Sequence, residues 1–207
     1  MIGERKAGAF VANEIGRSGT DRRAGQDRRQ DGTFPTGIET LAMTDALTGL
    51  YSRGFLESDL KRELARCRRH GVMTSLVLVD LDDFRSTNEQ WGSDAGDAAL
   101  RGTAEVIRKR VRAADAACRY GTDEFAIVLP DTYRSGARLV ADRIIEHVRR
   151  AFIAGRVVGC PIALTASAGV AWYGATAPTK GTLLDAAIRA LAAAKEAGGD
   201  RVAEASS

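Results

Sequence analysis

The chain has 207 residues, enough for one domain plus an extension. Its hydrophobic fraction of 44% supports a real core. A formal charge of +3, from 30 basic and 27 acidic residues, is too mild to mark a nucleic-acid binder.

Residues 1–36 are rich in Gly, Arg, Asp and Gln and poor in aliphatics, the composition of a flexible tail. Inside it the repeat GTDRR (Gly19–Arg23) and GQDRR (Gly25–Arg29) offers two Arg pairs that suit phosphates or an acidic protein partner. A solvated segment of alternating charge is the alternative. The tail has no apolar core typical of a secretory signal, and no run in the chain nears the roughly 18 residues of a membrane helix. A cytoplasmic protein is the expectation. Pro35 closes the tail, and residues 37–207 make the folded domain.

Gly54–His70 predicts a charged amphipathic helix, and TSLVLVD (Thr74–Asp80) a buried strand. Ser93–Arg112 predicts a helix with Leu100, Ala104, Ile107 and Val111 on one stripe. Ala116–Leu129 predicts a hairpin with Gly121, Thr122, Asp123 and Glu124 at its tip. A helix over Thr132–Phe152, a strand over Ile162–Tyr173, an Ala-rich helix over Thr182–Ala197 and a short edge strand over Arg201–Ala203 follow. Helices separated by strands, with one hairpin between, give an α/β layered sandwich with a mixed sheet. Cys67, Cys118 and Cys160 are scattered, without zinc or disulfide spacing, and Cys118 reads as a core residue. His70 and His147 sit on helical segments without partner motifs.

Two acidic clusters carry the chemistry. VDLDDF (Val79–Phe84) lies at the end of the first strand, where α/β sheets bind ligands. Side chains alternate along a strand, so Asp80 and Asp82 point one way and Asp83 the other. Asp123 and Glu124 form the second cluster. A hairpin paired beside the first strand brings Asp123 to Asp80. Neighbouring carboxylates repel unless a cation lies between them. Mg²⁺ takes few protein carboxylates and leaves positions for phosphate oxygens, so the pattern points to a magnesium–nucleotide site. For Asp83, capping of the next helix stands beside a ligand role.

The quoted residues resemble a known family. GTDEF (Gly121–Phe125) is similar to the signature of the GGDEF domains, the diguanylate cyclases. DALTGLYSRGFLE (Asp45–Glu57) resembles the family's D-x-L-T-G-L-x-N-R, and LVDLDDFRSTNEQWGSDAGDAAL (Leu78–Leu100) its D-x-D-x-F-K-x-x-N-D-x-x-G-H-x-x-G-D-x-x-L. LTASAGVA (Leu164–Ala171) and LLDAAIRALAAAKEAGGDRV (Leu183–Val202) resemble its late strand and closing helix. The resemblance runs over about residues 38–203 in order and spacing.

It implies a nucleotidyl-cyclase-like fold with a mixed, mostly antiparallel five-stranded sheet. It implies condensation of two GTP into cyclic di-GMP and two pyrophosphates, with Mg²⁺ or Mn²⁺, in a homodimer whose domains meet face to face. By the same resemblance Asp80, Asp123 and the Leu81 carbonyl hold metal, and Asp123 and Glu124 form the catalytic signature. Asn88 and Asp97 read guanine; Asp83, Phe84 and Lys195 complete the GTP site. Carboxylates suit the adjacent N1–H and amino donors of guanine. Arg112 and Asp115 match the family's R-x-x-D inhibitory site for cyclic di-GMP, where Arg stacks and forks onto phosphate.

The match has breaks. Thr122 stands where the signature has a second glycine, and a β-branched residue resists positive φ. Gly199 replaces an arginine expected on the same helix face as Lys195, so a phosphate contact worth about 1.5–3 kcal/mol is lost. Ser93, Ser52, Arg85, Ile188 and Ala192 replace His, Asn, Lys, Asp and Tyr. Two readings follow: a cyclase weakened at the turn and phosphate grip, or a degenerate domain that receives cyclic di-GMP or GTP and signals by protein contact.

Overall fold

TSLVLVDL, Thr74–Leu81, forms strand β1 and is buried along its whole length. Apolar residues on both faces fit a central strand covered on both sides. In this computed structural model, which describes residues 43–153, 157, 163–173 and 179–206, the elements follow in order. They are α1 (Arg53–His70), β1, α2 (Phe84–Trp91), α3 (Ser93–Arg108), β2 (Ala116–Arg119), β3 (Glu124–Pro130), α4 (Arg134–Ile153), β4 (Ala166–Trp172), α5 (Lys180–Glu196) and β5 (Val202–Glu204). Of the two units into which the chain divides, Met1–Phe34 lies outside the described residues, and Pro35–Ser207 holds all of these elements. The tail repeat, Cys160 and Ile162 also lie outside them.

The sheet has five strands in the order β2-β3-β1-β4-β5. Every neighbouring pair is antiparallel except β4–β5, so the sheet is mixed and mostly antiparallel. Side-chain alternation sorts β1 into two cores. Val77, Val79 and Leu81 join Ala99, Ile107, Ile144 and Val148 on the side of α3 and α4. Leu76 and Leu78 join Leu56, Leu60, Leu183 and Ala187 on the side of α1 and α5. Asp80 continues the second row and faces α5.

Alanines at 186, 187, 190 and 194 make the buried stripe of α5, and their short side chains let the helix lie close to the sheet. At Gly169 of β4 a Cβ would fall 2.2 Å from the Ala187 carbonyl oxygen. That depth delivers Lys195, in the helix's last turn, to the end of β1.

The elements differ from the sequence reading in several places. α3 stops at Arg108, so Arg112 is not helical: the Lys109 and Arg110 amides already donate in the closing turn, to Glu105 and Ile107. The helix Phe84–Trp91 is an element with no apolar stripe long enough to announce it; only Phe84 and Thr87 are buried. β4 begins at Ala166, and Leu164 is buried just before it.

Candidate active site

The register of β1 and β3 places Asp80 opposite Glu124. The Leu81 amide donates to the Asp123 carbonyl at 3.3 Å, fixing the signature turn against the strand end. The anticipated meeting of the two acidic clusters is therefore present. Lys195 Nζ donates to Asp80 Oδ1 at 2.5 Å. Burial pushes the Asp80 carboxyl up to about 6; Lys195 opposes this, while the negative charges of Asp123 and Glu124 add to it. The site holds more carboxylate than one ammonium balances.

The tip of the hairpin does not use positive φ at residue 122: among the described residues, the non-glycine residues with positive φ are Asp83, Asp131 and Asp200. This corrects the strain expected of a β-branched residue there. The carbonyl of Thr122, which any residue supplies, accepts from Arg119 Nη2 at 2.7 Å. At Gly121 a Cβ would lie 2.4 Å from Glu124 Oε2, the free end of a side chain that can turn away.

Asn88, on α2, reaches across to α3 at Gly96, where a Cβ would fall 1.8 Å from Asn88 Oδ1. Asp97, the next residue, is half-exposed and lies 3.9 Å from Arg101 Nη1. α2 and α3 thus bring both guanine-reading candidates to one joint. Gly96 went unassigned in the sequence; its signal was the glycine one position before Asp97.

Asp82 has a structural task. It accepts from Thr165 Oγ1 and Ser167 Oγ, both at 2.7 Å, and from the Asp200 amide at 3.0 Å, tying the end of β1 to β4 and the turn after α5. Asp83 stands at the N-cap of α2 with φ 52° and makes no side-chain cap bond, so the capping alternative does not hold. Phe84 is in the core, 5% exposed, with no polar side-chain group to offer a ligand. Position 199 is not on the helix face expected of it: α5 ends at Glu196 and Gly199 adopts φ +69° in the following turn. Arg201 donates back to the Gly199 carbonyl at 2.9 Å.

At the other candidate site, Asp115 accepts from the Arg112 amide at 2.7 Å, and burial raises its carboxyl above the ordinary range. The pair is thus joined through the backbone and not as a helix-end ion pair. Both line a cavity of about 370 Å³ with Leu50, Tyr51, Arg108 and Ala117.

Among the described residues no group of three or more His, Cys, Asp and Glu side chains gathers as a metal cluster. The strand end offers carboxylate oxygens, of which Asp80 is buried and resists charge; oxygen donors are the kind a hard divalent cation takes. No helix among the described residues is long and apolar enough to cross a membrane.

Acids at a strand end served by a lysine, and an amide and a carboxylate at a helix joint, thus sit on an α/β sandwich with a mixed sheet. A sequence model described as diguanylate cyclase, GGDEF domain, matches residues 42–201. The chain is 36% identical over 163 residues to the diguanylate cyclase DgcP of Pseudomonas aeruginosa, covering 78% of this chain and 24% of DgcP. It superposes with a TM-score of 0.74 on the GGDEF domain of DgcB from Caulobacter crescentus in complex with c-di-GMP, at 31% identity, over 80% of this chain and 97% of that one. A TM-score of 0.74 also relates it to the diguanylate cyclase SiaD in complex with its activator SiaC from Pseudomonas aeruginosa, at 33% identity, over 81% of this chain and 64% of that one. The chain belongs to the GGDEF family of diguanylate cyclase domains. It spans about a quarter of DgcP, at 24%.

Proposed function

We propose that the domain condenses two GTP into cyclic di-GMP and two pyrophosphates as a homodimer, with Mg²⁺ or Mn²⁺ and with product inhibition at Arg112 and Asp115. The observation that carries this reading is the pairing of Asp80 with the signature turn, with Lys195 2.5 Å from Asp80. Asp80, Asp123 and the Leu81 carbonyl would hold the metal, which when bound activates the attacking hydroxyl and neutralises the leaving pyrophosphate. Asn88 and Asp97 take the guanine edge, selecting GTP over ATP. Lys195, which donates to Asp80, would serve the phosphates of bound GTP. Glu124, which lies over Gly121, would complete the catalytic signature with Asp123, and Asp83 and Phe84 would flank the nucleotide. Thr122 presents its carbonyl inward to Arg119, so the broken signature is compatible with activity.

Purified full-length chain incubated with GTP and Mg²⁺ should release cyclic di-GMP and pyrophosphate, seen by chromatography. No product at high enzyme concentration in an enforced dimer would sink the reading.

A second reading is favoured by the phosphate end. Gly199 supplies no cation and Arg201 is folded onto its own loop. On that reading the domain receives cyclic di-GMP at Arg112 and Asp115 without turnover and signals by protein contact. Calorimetry should then show cyclic di-GMP binding that Arg112→Ala abolishes, with no pyrophosphate formed. In either case residues 37–207 are the GGDEF domain and the Arg pairs within residues 1–36 are the contact for an acidic protein partner, in the cytoplasm.

A further inference from the structure

α5 ends in a tight reversal. Gly198, Gly199 and Asp200 follow one another at φ 106°, 69° and 51°, three left-handed residues in a row. The Gly198 amide donates to the Lys195 carbonyl at 2.9 Å and the Gly199 amide to the Ala194 carbonyl at 3.1 Å, so the reversal is bonded to the helical turn that carries Lys195. Just beyond it the Arg201 carbonyl accepts from the Ala168 amide at 2.9 Å, and the chain enters β5. Backbone in such a conformation persists where its surroundings over-determine it. Asp200, the residue of the three with a side chain, is where they do so.

Arg149, near the end of α4, supplies the grip. Its Nε donates to Asp200 Oδ2 at 2.6 Å and its Nη2 to the Asp200 carbonyl at 3.2 Å. Nη1 donates to Glu146 Oε2 at 2.5 Å, one turn back on α4, which aims the guanidinium. A planar fork serves three acceptors in this way, and a lysine, a point donor, does not. The Asp200 amide is held separately, by Asp82. The side chains of Arg149 and Asp200 are each 34% exposed, and Asp200 Oδ1 is buried without a partner. Without Arg149, a part-buried carboxylate with one oxygen already unsatisfied loses its ion-pair partner as well. Such a group gains by moving out to water, and the reversal moves with it.

Gly199 offers no side chain to a ligand, and Arg201 is turned back onto the Gly199 carbonyl, so Lys195 is what the end of α5 presents to a phosphate. We propose that Arg149 is a positioning residue for the phosphate end of the site: by holding Asp200 it fixes the reversal after α5, and so the place from which Lys195 meets the phosphates of GTP. This deepens the proposed function and rests on it, since it gives a support to the lysine which that reading assigns to the phosphates. Arg149 acts through Lys195 and touches no ligand itself.

The test is calorimetry of 3′-deoxy-GTP, which lacks the attacking hydroxyl, with Mg²⁺ on the full chain, run as a double-mutant cycle between Arg149 and Lys195. Arg149→Gln should weaken the analogue about five-fold, the worth of one ordinary hydrogen bond. Lys195→Met should weaken it at least about ten-fold, the worth of a charge-assisted one. Residues that share no contact act additively, so an Arg149 with a merely structural role would cost about five-fold again in the Lys195→Met background. Positioning through Lys195 requires instead that the double variant bind within about two-fold of Lys195→Met alone. Arg149→Lys keeps the charge and the helix but has one donor group for the two acceptors of Asp200. It should lose at least about three-fold, again only where Lys195 is present, and it serves if Arg149→Gln folds poorly. Unchanged affinity in both Arg149 variants, or additive losses in the cycle, overturns the proposal and leaves the functional reading standing. Unchanged affinity in Lys195→Met overturns the proposal at the lysine. Failure of the wild type to bind the analogue overturns the functional reading and the proposal with it.

Discussion

Asn88 occupies the space that a side chain at Gly96 would fill: Oδ1 lies 1.8 Å from where the Cβ would be. The two residues come from different helices, so the glycine sets how close α2 and α3 approach at the guanine-reading corner. Gly96→Ala adds a methyl group inside α3, where alanine favours helix by about 1 kcal/mol. The fold should therefore tolerate the change within a few degrees of melting temperature, while Asn88 is expelled. GTP affinity should fall at least about ten-fold, the loss of roughly one charge-assisted or paired hydrogen bond. Nucleotide titration and thermal melting on the same sample check this; loss of both together would mean that Gly96 is structural only.

Asp82 and Asp80 differ by two positions and should differ in phenotype. Asp82→Ala removes the acceptor for Thr165, Ser167 and the Asp200 amide. Leaving part-buried donors unsatisfied costs about 1–3 kcal/mol. For a domain of this size that is a fall of roughly 3–10 °C in melting temperature. Mg²⁺ affinity, titrated by nucleotide-analogue binding, should change little. A variant that melts like wild type but loses Mg²⁺ would put Asp82 in the metal site instead.

The apolar run of TSLVLVD and the Ala-rich closing segment made the central strand and the last helix legible, because composition is a local property. Pairing of Asp80 with the hairpin tip was legible too, since adjacent acids at a strand end have few neutral explanations. Gly121 and Gly96 were not, as their roles are steric clearances to side chains elsewhere in the fold. Arg119 was invisible for the same reason: its partners are Asp45 and a main-chain carbonyl, and no local pattern reports either. Position 199 was misplaced because counting four from Lys195 assumes a helix that ends first.

In metal-free protein the Asp80 carboxyl, normally near 3.8, is pushed up to about 6. The folded state then binds this proton more tightly than the unfolded chain. Its contribution to stability is complete below 3.8 and is lost as the pH rises through about 6. The loss is about 3 kcal/mol at most. Melting in EDTA from pH 4 to 7 should show wild type losing ground relative to Asp80→Asn over this window, and Mg²⁺ at pH 7 should restore it. Parallel curves for the two proteins would rule out the burial-driven shift.

Thr122→Gly should leave the turn and its chemistry nearly unchanged, because residue 122 has no positive φ to relieve and offers Arg119 only its carbonyl. Gly121→Ala should be the damaging substitution, since its Cβ meets Glu124 Oε2 at 2.4 Å. The end of the Glu124 side chain must turn away, out of the position the site gives it. The expectation is at least about a hundred-fold loss of cyclic di-GMP formation, the scale of a misplaced catalytic geometry. Turnover by Thr122→Gly should stay within about three-fold of wild type, below what one lost hydrogen bond would cause. A large gain in Thr122→Gly would show the threonine to be a block after all.

Restoring the family's arginine at position 199 should not repair the phosphate grip. Gly199 holds φ +69°, and a Cβ there would stand 3.2 Å from both oxygens of the Asp82 carboxylate. A residue with a side chain pays about 1–2 kcal/mol in that left-handed conformation. An attraction between arginine and Asp82 offsets part of this, but it directs the guanidinium to a carboxylate already engaged by Thr165 and Ser167, away from Lys195. Gly199→Arg should therefore lower the melting temperature by roughly 2–6 °C, with no gain in GTP affinity. Tighter GTP binding in the variant would mean that the turn after α5 rewinds onto the helix, and that the weakness at the phosphates lies in this one residue.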